Sequence, residues 1–172
     1  MPDCLSTTAL NALDQPAFTA CLADIYEHSP WIPERCWTQR PFANRETLQQ
    51  ALAQTLEAAS DAEKLGLILA HPELAGKAAV RGELSSDSKR EQAGVGLDQC
   101  SREEFAIIQR LNDEYRDKFG FPFIIAVKGL SRADIIAAME QRIARSQAQE
   151  FAAALLQIQR IAAFRLADKI CD

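Results

Sequence analysis

The sequence predicts an all-α fold: a single compact, bundle-like helical domain with one short extended segment near residues 121–128. Three observations carry that prediction. Glycine and proline are sparse, seven of each in 172 residues, whereas alanine, leucine, glutamate, glutamine and arginine abound; these residues lose little freedom in a helix. Second, the pattern Ser-x-x-Glu or Ser-x-x-Asp recurs at Ser60, Ser88, Ser101 and Ser131. In it a hydroxyl caps the first amides of a helix and the acid reaches back to the N–H of the cap. Third, only one stretch, "FGFPFIIAVKG" at 119–129, reads as strand by its aromatic and β-branched residues, so no second run is available to pair with it.

The elements follow in order. Asp14 is placed to cap a helix reaching about Tyr26, with Pro16 in its first turn. Prolines 30, 33 and 41 break "HSPWIPERCWTQRPF" into an irregular, aromatic-anchored connection with room for a short helix. Arg45 to about Ala59 is helical, and Ser60 opens the next helix, through Ala70. After "HPELAGKAAVRGELSSD" a helix starts near Ser88, Ser101 caps a longer one to about Phe119, and Ser131 opens another to about Ser146. The last helix runs from about Gln147 to Lys169. No repeat, low-complexity tract or linker interrupts the chain, so residues 1–172 read as one domain. The extended segment must find partners for its backbone N–H and C=O groups. Either side chains and water satisfy it as a buried connector, or its amides bind a ligand.

Composition excludes several classes. Hydrophobic residues at 48% and charged residues at 25% are globular values. A net charge of -5 without a long basic run disfavours nucleic acid or an anionic membrane as partner. No apolar stretch is long enough to span a bilayer. "MPDCLSTTAL" lacks the pattern of a secretory signal, and "LADKICD" matches no peroxisomal or retention tail, so a cytoplasmic location is expected. Five cysteines, an odd set with no CxxC, are expected to be reduced thiols and not a disulfide frame or a zinc site. With two histidines far apart and no HExxH, no metal centre is expected.

Four places hold chemistry-bearing residues. His71, in "LGLILAHPELAGKAAV", ends an apolar helix and precedes Pro72. Its ring, titrating near pH 6.5 when unperturbed, roughly, suits a general acid or base at neutral pH; the alternative is a histidine that caps helix carbonyls. His28 sits among aromatics and prolines and is read as packed or capping. Ser88, Glu91 and Gln92 share one helix face at i, i+3 and i+4, where they hold a polar ligand or, for Ser88 and Glu91, form a capping box. Arg165 falls inside the apolar stripe Phe151, Leu155, Ile158, Ala162 and Leu166, whereas Arg160 faces solvent. A guanidinium there pairs with an acid, snorkels, or grips a ligand's polar edge.

Taken together, "YEHSPWI", "RPF", "HPELAGK", "SKREQAGVGL", "LNDEYRDKFGFPFIIAVKG" and "IQRIAAFRL" resemble the OHCU decarboxylase family, from about residue 9 to 170. OHCU is 2-oxo-4-hydroxy-4-carboxy-5-ureidoimidazoline. The resemblance implies an all-α homodimer that removes CO2 from this small ureidoimidazoline and yields (S)-allantoin in urate breakdown, with no cofactor and no metal. It implies that His71 is the catalytic acid/base, that Glu91 is catalytic beside it, and that Pro72 lines the pocket. Ser88 and Gln92 would hold ring substituents. The backbone of Phe123, Ile124, Ile125, Ala126 and Val127 would contact the ligand, and Arg165 would grip a polar edge. The competing reading is a non-catalytic dimeric helical module that binds a metabolite or peptide. A metal-dependent hydrolase is a third, which the shortage of ligands disfavours.

Overall fold

The capping signals in the sequence become helix starts. The structure, a computed structural model, describes residues 4–76 and 82–171. Its helices are α1 (Thr7–Asn11), α2 (Gln15–Leu22), α3 (Trp31–Cys36), α4 (Arg45–Glu57), α5 (Asp61–Ala70), α6 (Ser86–Gly94), α7 (Arg102–Phe119), α8 (Arg132–Ile143) and α9 (Gln147–Lys169). Single 3₁₀ turns lie at Trp37–Gln39 and Leu97–Gln99. The reciprocal boxes predicted at Ser60–Glu63, Ser101–Glu104 and Ser131–Asp134 are all formed. Asn44 and Thr47 make a further one at the start of α4. The fold is all-α; among the described residues no strand ladder forms, and the extended segment stands alone.

Four expectations are corrected. α2 ends at Leu22 and not near Tyr26, because the chain tightens to i→i+3 bonds there, Ala23 N–H to Ala20 C=O and Ile25 N–H to Leu22 C=O; His28, at φ +46°, then turns the chain. α8 stops at Ile143, short of Ser146. The short helix α1 lies outside the sequence expectations; Ser6 caps it by accepting the Ala9 N–H. Lastly, Cys4 and Cys171 form a disulfide, with Cα atoms 5.5 Å apart, where free thiols were expected; Cys21, Cys36 and Cys100 are free. A separation of 167 residues hid the pairing. What brings the two ends together is a parallel bridge between Leu5 and Ile170, closed by Leu5 N–H to Lys169 C=O and Cys171 N–H to Leu5 C=O.

The chain divides into two compact units, Met1–Ala70 with Gln159–Asp172, and His71–Ile158. In the first, Leu10, Phe18, Leu22, Ile32, Leu48, Leu52, Leu67 and Ile68 are buried core. Its irregular stretch is pinned by polar bonds: the Asn11 side chain exchanges two hydrogen bonds with the Phe42 backbone. The Arg40 guanidinium, lying over the Trp37 ring, donates to the carbonyls of Asn11 and Leu13. In the second unit an aromatic cluster forms the core. Tyr115 packs edge-on against Phe123 with centroids 5.3 Å apart, and Phe121 does the same against Phe151 at 6.3 Å. Edge-to-face packing suits the ring quadrupoles. Gly120, at φ +77°, ends α7 in the left-handed conformation and sends the chain into the extended segment.

Candidate active site

His71 follows directly on the last residue of α5 and is buried, at 7% exposure. The loop after it is shaped by its own sequence. Ala75 sits at φ +47°, a left-handed conformation unusual for a residue with a Cβ. Gly76 closes a turn onto the Glu73 carbonyl, and a Cβ there would come within 2.8 Å of the Glu73 Cβ. Side chains from α6 and α7 hold this backbone. Gln92 Oε1 accepts the Ala75 N–H at 2.9 Å, while its Nε2 donates to the Glu73 carbonyl at 3.4 Å. Gln109 Nε2 donates to the Ala75 carbonyl, and the buried Asn112 Nδ2 donates to the Leu74 carbonyl at 2.9 Å. Arg116 pairs with the Glu73 carboxylate. Strained backbone of this kind persists only where its surroundings over-determine it, and here four side-chain amide bonds do so.

α6 carries the predicted polar face. Its cap is Ser85, whose hydroxyl accepts the Ser88 N–H, so the helix starts at Ser86 and Ser88 lies inside its first turn. The capping-box alternative for Ser88 and Glu91 therefore falls. Ser88 and Gln92 are buried, and Glu91 is half-buried. Both ends of the Gln92 amide are engaged by the loop after His71.

The segment from Phe123 to Val127 is extended but paired with no strand. Phe123, Ile124 and Val127 are buried, and Ile125 and Ala126 are half-buried. Side chains satisfy part of its backbone, as the connector reading expects: Arg142 Nη1 donates to the Ile124 carbonyl at 2.8 Å, and Gln157 Oε1 accepts the Ala126 N–H at 2.9 Å. Among the described residues, no protein acceptor meets the N–H of Ile125 or of Val127.

Arg165 belongs to the first unit, is buried, and donates through Nη1 to Glu27 Oε2 and to the Asp24 carbonyl, each at 3.0 Å. The predicted ion pair with an acid is thus present, and Glu27 is its partner. Arg160 is exposed, as the helical wheel requires. His28 is largely exposed beside Glu27 and is given no chemistry.

A cavity of about 300 Å³ opens in the second unit, lined by Ala75, Lys89, Gln92, Asp98, Cys100 and Phe105 among others. Neither His71 nor Glu91 belongs to its lining. Burial first, then Glu104, pushes the Cys100 thiol above its usual range, so it is a poor nucleophile there. Among the described residues no three His, Cys, Asp or Glu side chains gather as a metal site would. No helix among the described residues is long and apolar enough to cross a membrane.

Sequence reasoning missed the residues that hold the site's backbone: Gln109, Asn112, Arg142, Glu150 and Gln157. For three of them a signal existed. Asn112 interrupts the buried face Ile108, Leu111, Tyr115 and Phe119 of α7; Arg142 follows Ile135 and Met139 on α8; Glu150 precedes Ala154 and Ile158 on α9. A polar group on a buried face is the observation that singled out Arg165.

The OHCU decarboxylase family profile matches residues 11–167. A 2-oxo-4-hydroxy-4-carboxy-5-ureidoimidazoline decarboxylase of Halalkalicoccus jeotgali is 44% identical over 94% of this chain and 90% of its own length. The protein of the same name from Haloferax volcanii is 41% identical over 96% of each. The crystal structure of an (S)-allantoin synthase superposes with a TM-score of 0.79 at 28% identity, covering 96% of this chain and 54% of the longer one. With the family profile spanning most of its length and such identity across whole relatives, the chain belongs to the OHCU decarboxylase family.

Proposed function

We propose that this protein is a carboxy-lyase that decarboxylates 2-oxo-4-hydroxy-4-carboxy-5-ureidoimidazoline to (S)-allantoin and CO2 in urate degradation. The observation that carries this reading is the 44% identity, along almost the full chain, to a protein named for that reaction. The buried His71 and the loop after it, tied by Gln92 to the helix of Ser88 and Glu91, supply groups suited to it.

The chemistry needs no electron sink beyond the substrate. The bond from the hydroxyl-bearing ring carbon to the carboxylate breaks, and its electron pair forms a double bond to the neighbouring carbon. The imine π pair moves onto nitrogen, which takes a proton. The resulting enol loses its hydroxyl proton as that neighbouring carbon gains one, so one proton is consumed overall. Glu91 accepts the hydroxyl proton, and His71 delivers a proton to one face of the ring, which sets the S configuration. Ser88 and Gln92 hold ring substituents beside Pro72, and the backbone of Phe123 to Val127 contacts the ring with its amides. These fixed donors orient the carboxylate out of the ring plane and meet developing charge without reorganising. Arg165 grips a polar edge of the substrate. The protein works as a homodimer; the exposed Leu65 and Leu69, four residues apart on α5, are an apolar pair that an interface would cover.

Freshly generated substrate, followed by the decay of its ultraviolet absorbance, tests the reaction, and circular dichroism of the product tests its handedness. Accelerated decay with one enantiomer in excess is expected. Binding without acceleration would instead make the protein a metabolite-binding module.

A further inference from the structure

Deep in the second unit lies a charged cluster that the reaction does not use directly. Glu150 is fully buried on α9, and its Oε2 accepts hydrogen bonds from the Tyr115 hydroxyl at 2.5 Å and from Arg142 Nε at 2.9 Å. Burial, reinforced by Glu150, pushes the Tyr115 hydroxyl well above its usual range, so it remains a donor. Arg142, itself 6% exposed, stacks over the Phe123 ring at 4.3 Å and donates through Nη1 to the Ile124 carbonyl. Its planar fork therefore spans an acid on one helix and a single peptide of the extended segment.

That peptide matters because of its other end. A trans peptide is planar, so the N–H of Ile125 points opposite to the carbonyl of Ile124. Fixing the carbonyl fixes the N–H. A cation on the carbonyl oxygen also polarises the whole unit, which strengthens the N–H as a donor. The next peptide is held from its own N–H side, where Gln157 accepts from Ala126. The protein thus grips one side of each peptide, and the opposite groups belong to the half-buried Ile125, whose N–H meets no acceptor among the described residues.

We infer that Arg142, locked by Glu150, is a positioning residue that aims and polarises the Ile125 N–H as a hydrogen-bond donor to the substrate. The inference rests on the reading that the Phe123–Val127 backbone contacts the ligand. A buried ion pair adds little to stability compared with apolar side chains of equal volume; here its fork has a directional task that a lysine, with a single point charge, cannot repeat.

Arg142→Lys tests this, with the isotopically labelled full-length protein, (S)-allantoin as the probe and Leu111→Ala as a control. Leu111 is a buried residue of α7 in the same unit and is not among the hydrogen-bonding or ring partners described for the segment, so its truncation reports on loss of packing alone. Arg142→Lys is expected to lower kcat about tenfold or more, a fraction of the loss for removing an oxyanion donor outright, with KM changed less than kcat. In the wild type, (S)-allantoin should shift the Ile125 amide proton downfield; in Arg142→Lys that shift should shrink. Leu111→Ala should lower the melting temperature and keep both kcat and the shift. Unmoved Ile125 and Val127 resonances in the wild type would sink the reading of the segment itself. A wild-type shift that persists in Arg142→Lys, with kcat unchanged, would overturn only the role of Arg142. If Arg142→Lys does not fold, Glu150→Gln decides: a severalfold loss of kcat with a reduced Ile125 shift supports the role, and unchanged kcat overturns it.

Discussion

Replacing Glu91 by glutamine separates helix stability from chemistry. Had Glu91 closed a capping box with Ser88, its loss would cost about 1 kcal/mol, and in a domain of this size each kcal/mol lowers the melting temperature by roughly 2–4 °C. The structure removes that contribution. Ser85 is the cap of α6, and Glu91 is six residues further on, past the first turn where the helix dipole favours an acid. Glutamine keeps the volume and the helix propensity. The expected change in melting temperature is therefore under about 2 °C, as for substitutions that break no cap or cavity. A carboxylate that takes a proton in the reaction contributes about 10² to 10⁴ in rate, or roughly 3–5 kcal/mol of barrier. Glutamine can still donate and accept hydrogen bonds but cannot act as a base, so the loss should appear in kcat more than in KM. The assay is substrate decay under saturating conditions, beside a thermal melt of the same preparation. A melting temperature lowered by 4 °C or more, with turnover retained, would refute both the assignment of the cap and the catalytic role.

Three further outcomes are expected. His71→Ala should lose at least about 10² in the rate of (S)-allantoin formation, with the product approaching the racemate of the uncatalysed reaction; a rate near wild type would remove His71 from the mechanism. On the proposed grip of Arg165 on the substrate, Arg165→Lys should raise KM, because a point charge cannot replace a bidentate fork; a variant that melts earlier with KM unchanged would confine Arg165 to its ion pair with Glu27. Cys171→Ser should destabilise the oxidised protein, since a crosslink over 167 residues restricts the unfolded chain by roughly 5 kcal/mol, and the difference should vanish on adding reductant.

Local signals in the sequence are those with short reach, and they located the fold well. The boxes at Ser60, Ser101 and Ser131 mark true helix starts because the residues that bond each other are three apart. The same pattern misled at Ser88, where a competing serine three residues earlier takes the cap. Pairings across long separations left no local trace: Cys4 with Cys171, Leu5 with Ile170, and Arg165 with Glu27. For Arg165 the wheel showed that a partner was needed but not which acid supplied it. The site divides similarly. His71 beside Pro72 and the face of Ser88, Glu91 and Gln92 are visible as types at a spacing, whereas Gln92's hold on Ala75 depends on a turn that only the folded chain makes. Asn112, Arg142 and Glu150 were legible as polar groups on apolar helix faces.

Four of the five side chains described as bonding the site's irregular backbone share one chemical feature; the fifth is Arg142. A helical protein has no neighbouring strand to satisfy a loop or an extended segment, and each buried group left unpaired costs about 1–3 kcal/mol. Here Gln92, Gln109 and Asn112 bind the loop after His71, and Gln157 binds the extended segment. All four are carboxamides, which carry donor and acceptor together and do not titrate. Histidines in their place would gain or lose bonds as they titrate near neutral pH, and ionised acids could not donate to the carbonyls. A neutral clamp keeps the loop's geometry independent of pH. The Glu73 carboxylate of the loop itself pairs with the partly exposed Arg116. The buried charges Arg142 and Glu150 pair with each other, Glu150 also meeting Arg145, and Arg142 holds the segment at the Ile124 carbonyl and over the Phe123 ring. Neutral amides thus hold the loop after His71, and a matched buried ion pair joins Gln157 in holding the extended segment.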